Sequence, residues 1–235
     1  MTTTHRMRRG SVARGAVGIA AVMAMAAGAL TACESDRDDT TASHSHTDET
    51  KVVAASDTSE QAALRVAMRS LWSQHMEWTY ATVVAFATDS PGLQATMARL
   101  LRNQVDIGDA VAPFYGADAG AQLTELLSTH IEEAVPVLTA AKAGDQAALT
   151  KAVDTWYANA QEIADFLVAA NPSWEQAEMR QMMKGHITQT IGYAGAVVGG
   201  DYDSALTKYD EAEAHMIDMA DMLTTGLVKQ FPDKF

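Results

Sequence analysis

One pattern of apolar and polar residues returns three times along this chain at intervals of 55 to 56 residues. A period of that size marks a repeated supersecondary unit and rules out most other architectures. The first segment of each unit reads Met68-x-x-Leu71-Trp72-x-x-His75, Leu123-x-x-Leu126-Leu127-x-x-His130 and Met179-x-x-Met182-Met183-x-x-His186. The second reads Asn103-x-x-Asp106-Ile107-Gly108-Asp109, Asn159-x-x-Glu162-Ile163-Ala164-Asp165 and His215-x-x-Asp218-Met219-Ala220-Asp221. Every histidine after residue 50 falls on this grid.

Offsets of 0, 3, 4 and 7 trace one face of an α-helix, so each histidine of the first segment extends an apolar stripe and points inward. Helical periodicity runs from about residue 58 to 230, with no alternating strand pattern. The chain is therefore expected to be an all-α bundle of three repeated antiparallel hairpins. Its helices are expected near 58–88, 91–112, 118–142, 146–170, 173–198 and 202–230. Asp89-Ser90-Pro91, Pro113 with Tyr115-Gly116, Gly144-Asp145, Asn171-Pro172-Ser173 and Gly199-Gly200-Asp201 supply the breaks. Pro136 lies inside the third helix, where it frees a carbonyl and predicts a kink. Gly185, Gly192 and Gly195 weaken the fifth helix and suit close contact between helices.

The hairpin arms are nearly equal: 14 residues separate His130 from Gly144, and 15 separate Gly144 from Asn159. Each first-segment histidine then sits level with the polar residue of its partner helix. Stacked in register, the hairpins would bring His75, His130, His186, His215, Asn103, Asn159, Asp106, Glu162 and Asp218 into one mid-height layer. Buried polar groups must be partnered, since each orphan costs about 1 to 3 kcal/mol. Two arrangements meet that demand. In one, each histidine bonds the amide or acid of a neighbouring helix and the layer only sets helix register, giving a non-catalytic structural or interaction module. In the other, His75, His130, His186, His215, Asp106, Glu162 and Asp218 supply ligands to copper, iron, manganese or zinc, for storage, delivery or sensing. Unit three is the first place to look, because His186, His215 and Asp218 coincide there. No nucleophile–base pair, phosphate loop or zinc-protease motif is present, which argues against an enzyme. The Glu-x-x-His pattern of di-iron bundles is absent too. Asp109, Asp165 and Asp221 fall off the inward face and suit surface ion pairs. Met179, Met182, Met183, Met216, Met219 and Met222 fill slots held by Leu, Ile, Trp or Phe elsewhere, so they read as core before copper ligands.

The N-terminal 57 residues have a different character. Arg6, Arg8, Arg9 and Arg14 precede an Ala/Val/Gly-rich run from Ala16 to Ala29, the layout of an export signal and too short for a permanent span. Leu30-Thr31-Ala32-Cys33 resembles the bacterial lipoprotein processing box, which implies a signal peptide over 1–32 and acylation of Cys33. Cys33 is the chain's one cysteine, so a lipidated protein has no disulfide and no thiolate ligand. The expected location is the extracytoplasmic face of the cell membrane, with the lipid bilayer as partner through Cys33. Residues 33–57, acidic and rich in Ser and Thr, read as a tether of roughly 25 to 30 Å reach. His44 and His46 belong to that tether. All 30 acidic residues follow Cys33, whereas four of the 17 basic ones lie in the leader. So acidic a mature chain repels nucleic acid.

A further set of residues runs across the helical region: His75-x-x-Trp78-Thr79, Arg102-Asn103-Gln104-x-Asp106-Ile107-Gly108, Tyr115-Gly116, Leu126-Leu127-x-x-His130-Ile131, Trp156-Tyr157-x-Asn159, Asn171-Pro172-x-Trp174 and Gln230-Phe231-Pro232-Asp233-Lys234-Phe235. Together they resemble a largely uncharacterised bacterial family of secreted or lipid-anchored all-helical proteins, from about residue 65 to the C-terminus. The resemblance implies that these positions matter to the family and carries no activity or cofactor with it. Tyr80 stands where that family leads one to expect a basic residue.

Overall fold

Six α-helices fill nearly all of residues 57–235, the part of the chain that the computed structural model describes. They are α1 (Ser59–Ala87), α2 (Leu93–Tyr115), α3 (Ala117–Ala143), α4 (Gln146–Ala170), α5 (Gln176–Val198) and α6 (Tyr202–Gln230), with a 3₁₀ turn at Pro232–Lys234. The fold is an all-α bundle, as the periodicity requires. The expected signal peptide, the expected acylation site Cys33, His44, His46 and the expected tether as far as residue 56 lie outside the described residues. Among the described residues no helix is long and apolar enough to cross a membrane.

Helix ends follow local chemistry. Thr58 and Gln61 form a capping box at the start of α1, each side chain accepting from the other's backbone N–H at 3.2 and 3.1 Å. Asp145 and Asp201 cap α4 and α6 by accepting from Ala148 and Ser204 N–H at 3.0 and 3.1 Å. Gly144 closes α3 at φ 69°, a left-handed conformation that costs glycine nothing.

Three boundaries differ from the sequence reading. Pro91 lies in the turn before α2, whose N-cap is Gly92, and Asp89 takes φ 52° while its carboxylate accepts from Lys142 at 2.7 Å. The second helix runs through Pro113 to Tyr115, because a proline in the last turn displaces a single N–H. The fifth begins only at Gln176, since the Asn171 side chain accepts from Ser173 N–H at 2.9 Å and holds a turn. The helix containing Pro136 continues past it unbroken.

Each helix packs on both sequence neighbours, and α6 returns to α1, so the bundle closes on itself. The contact between α2 and α3 is as extensive as that between α1 and α2, so the hairpins do not stand apart as separate units. Helices α1, α3 and α5 also touch one another and occupy the middle. Glycine sets two of the close approaches. A Cβ on Gly108 would run into Thr124 Oγ1 and lie 2.6 Å from Gly120 O. A Cβ on Gly226 would overlap the Trp174 indole, whose Nε1–H donates to Met222 O at 3.3 Å. Of the α5 glycines, only Gly185 meets a neighbouring helix closely, at the His215 ring 3.0 Å away; Gly195 has open space beside it.

At one end of the bundle several of the quoted motifs meet. The Tyr115 hydroxyl donates to Gln230 Oε1 at 2.7 Å and accepts from Asn171 Nδ2 at 3.0 Å. The Phe114 ring lies 5.5 and 6.0 Å from those of Phe231 and Phe235. Their joint role is to fasten the C-terminus across the ends of α2 and α4.

Candidate metal centre

The three central helices each carry one histidine, and the three rings share one buried cavity. His75 on α1, His130 on α3 and His186 on α5 are only 2–3% exposed. The His186 ring centre lies 5.6 Å from that of His75 and 5.7 Å from that of His130. Trp72 meets His75 edge-on at 5.8 Å, and Trp156 lies 5.2 Å from His130. All three histidines line a cavity of about 30 Å³, together with Met97, Leu100 and Trp156. That space accommodates one water molecule or one ion.

The second polar slot of each unit makes the same hydrogen bond three times. Asn103 Nδ2 donates to Leu71 O at 3.0 Å, Asn159 Nδ2 to Leu126 O at 3.3 Å, and His215 Nε2 to Met182 O at 2.9 Å. Each acceptor carbonyl belongs to the residue one helical turn before the unit's inward histidine. His215 must carry its proton on Nε2 to do this, since a carbonyl cannot donate. It therefore serves as a register contact, apart from the three central rings.

Asn159 does more. With its amide committed to Leu126 O, its Oδ1 is the atom 2.8 Å from His130 Nδ1, so that nitrogen carries the proton. His130 Nε2 is left as a bare lone pair, buried and without a hydrogen-bond partner. His186 Nδ1 is likewise buried and unpartnered. On the His75 side, Gln104 Nε2 donates to Leu100 O at 2.8 Å and lies 3.4 Å from His75 Nδ1. Burial holds all three imidazoles neutral: it brings His75 down to about 3, helped by His130, and His130 down to about 4 against the pull of Asn159. It lowers His186 well below the ordinary range, with His75, His130 and His215 adding to the effect. Neutral imidazole is the ligand form.

The carboxylates do not join this layer. Asp106 is held at the bundle edge by Arg102 and Arg99 at 3.0 and 3.7 Å. Glu162 and Asp218 are exposed. Three residues past the polar slot is 60° around the helix, which turns these side chains to the solvent-facing shoulder and spares them desolvation. Among the described residues no group of three or more His, Cys, Asp or Glu side chains is placed to hold a metal ion. Asp165 pairs with Arg180 at 2.6 Å, and Asp221 pairs with Arg69 and, at 3.5 Å, with Arg65. Thr124 occupies the slot equivalent to Arg69 and Arg180, and Asp109 is exposed. Met179, Met183, Met216 and Met219 are core residues.

Sequence reasoning passed over Met97 and Thr190, and quoted Gln104 within a motif without placing it at the site. The repeat itself held the signal for Gln104, a polar residue in a slot filled by Ala160 and Met216 in the other units. Thr190 shares its slot with Thr79 and Ala134, while no repeat pattern singles out Met97.

Comparisons of this chain with protein-family models, with curated proteins and with solved structures each return no match.

Proposed function

We propose that this protein binds one transition-metal ion at its centre through His75, His130 and His186, and presents that site from a lipid anchor at Cys33 on the outer face of the cell membrane. The observation that carries the reading is the bare Nε2 of His130, oriented by Asn159 and left without a partner in a cavity shared with two other imidazoles. A carbonyl oxygen holding Nδ1–H while Nε2 faces the metal is the usual outer-shell arrangement of a histidine ligand. Bonds of about 2.0 to 2.1 Å from a common ion to three imidazole nitrogens place the ring centres roughly 5 to 6 Å apart. The observed spacings of 5.6 and 5.7 Å, from His186 to each of the other two rings, fall in that range.

The donor chemistry narrows the metal. Three neutral nitrogens, no thiolate and no carboxylate suit copper or zinc better than iron or manganese, and the Met97 thioether at the same cavity favours copper. Storage, delivery or sensing remain the roles such a site serves. A second reading has its own support: the thrice-repeated bond from Asn103, Asn159 and His215 to a helix carbonyl fixes register with no metal at all.

The test is metal analysis and titration of protein purified without a histidine tag. One equivalent of copper or zinc is expected, lost in His130→Ala and His186→Ala and kept in Glu162→Gln and Asp218→Asn. A protein that takes up neither ion at micromolar concentration refutes the proposal and leaves the structural reading.

A further inference from the structure

A second cavity adjoins the histidine site on the side of the helix tips at Gly144 and Gly199. It measures about 120 Å³, four times the space between the imidazoles. Helices α1, α3, α4 and α5 enclose it with Val83, Leu138, Leu149, Trp156 and Ile191, and with small residues where a packed core would carry larger ones: Ala134, Ala141, Ala194 and Gly195. Gly195 is exposed, and open space lies where its Cβ would stand. An engineered apolar cavity of about 150 Å³ stays free of water and takes up benzene or xenon, so a natural one of this size and lining is a site for a molecule of that scale.

One polar group qualifies the wall. Thr190 is 3% exposed, lines both cavities, and its hydroxyl has no hydrogen-bond partner. Other helical threonines in this protein dispose of their hydroxyls locally: Thr79, Thr82, Thr188 and Thr224 each donate to the carbonyl four residues back. Thr190 does not. Burial pushes the Tyr193 phenol up, and an interaction with the Thr190 hydroxyl partly offsets that, yet the contact falls short of a well-formed hydrogen bond and leaves both buried hydroxyls without another partner. A buried hydroxyl left in this state is destabilising unless something supplies its partner.

We propose that this cavity is a binding site for a neutral molecule of benzene to phenol size bearing one hydrogen-bonding oxygen, which the Thr190 hydroxyl meets while the ring fills the apolar space. The site is independent of the metal reading, because every lining residue except Thr190 is apolar or already hydrogen-bonded and none is an imidazole.

Calorimetric titration of the chelator-treated full-length chain with phenol and, separately, with benzene tests this without reference to metal. Both compounds should bind with one site per chain. In Thr190→Val, which preserves shape and removes the hydroxyl, the ratio of phenol to benzene affinity should fall roughly tenfold, the scale of one hydrogen bond. In Ala141→Leu, with folding verified by circular dichroism, both should be lost, because the added side chain fills the space. Absence of binding by either compound overturns the proposal. So does an affinity ratio unchanged by Thr190→Val, or undiminished binding in a folded Ala141→Leu protein.

Discussion

Acidifying the metal-free protein should unfold it well before its carboxylates titrate. His75, His130 and His186 are buried and neutral, and the only titratable groups acting on them are other histidines, so protonation finds no counter-charge. In the unfolded chain each imidazole titrates near 6.5. The folded values lie below that, so the contribution to stability is fully present above about pH 6.5 and is lost as pH falls. The loss continues until the folded-state values are reached, about 4 for His130 and about 3 for His75. Moving from about pH 7 to about pH 5 costs roughly 2 kcal/mol per histidine, or about 6 for three acting independently. That is comparable with the entire stability of an ordinary domain, about 5 to 15 kcal/mol. General charge works in the opposite direction: the chain has 30 acidic against 17 basic residues, and acid relieves their repulsion. Urea midpoints measured between pH 7 and 5, with the m-value checked for constancy, should fall steeply and correspond to uptake of about three protons on unfolding near pH 5. Replacing His75 and His130 together by Phe should flatten the profile. A midpoint that holds steady down to pH 5, or an uptake below one proton, would refute this account of the core.

Other consequences are open to simpler measurements. Asn159→Leu removes the acceptor for His130 Nδ1–H, so it should cost about 1 to 3 kcal/mol in a denaturant melt and lower copper or zinc affinity about 10- to 100-fold in a competition titration. Gly226→Ala should destabilise by about 1 to 3 kcal/mol, because the Trp174 indole occupies the space that a methyl group would need; an unchanged melting temperature would contradict that packing. Asp165→Asn, in contrast, should leave the urea midpoint within error, since its pairing with Arg180 is exposed to solvent on both sides.

Much of the bundle was legible because periodicity and breakers act locally. The helix starting after Gly144-Asp145 and the one after Gly200-Asp201 begin where the capping aspartates stand, and their ends at 170 and 230 match the apolar stripe. Less legible were helix starts set by something other than the apolar stripe: the tertiary contact of the Asp89 carboxylate with Lys142, and the local turn in which Asn171 accepts from Ser173 N–H, accompany starts two or three residues later than expected. The site was half legible. Inward histidines follow from the 0, 3, 4, 7 spacing, and their level from equal hairpin arms. Asp106, Glu162 and Asp218 were placed with them on level alone, whereas helix rotation puts them at the edge. Gln104, Met97 and Thr190 carry signals that appear only when each repeat slot is compared across units or when neighbouring helices are in place.

Closure of the bundle is what turns a repeated residue into a candidate site. In an open array of hairpins, one inward histidine per unit would form a row, with successive copies at least a helix spacing of about 8 to 10 Å apart and the first and third at roughly twice that. Here α6 packs on α1 and the odd helices meet in the middle, so His186 has both other histidines at under 6 Å. The same slot on the even helices never reaches the centre, which explains why Asn suits it twice and why His215 can replace Asn without joining the cluster: it need only donate to a carbonyl. Three imidazoles brought to one cavity, none with a carboxylate beside it, do not close a hydrogen-bond network that satisfies them all. His130 Nε2 and His186 Nδ1 remain buried and unpartnered on rings that line a cavity large enough for one small guest. Register alone needs none of this, since Asn103 and Asn159 achieve it with side-chain amides, and apolar residues at 75, 130 and 186 would pack the centre at lower cost. Histidine at all three inward positions is therefore what the proposed binding role accounts for and register alone does not.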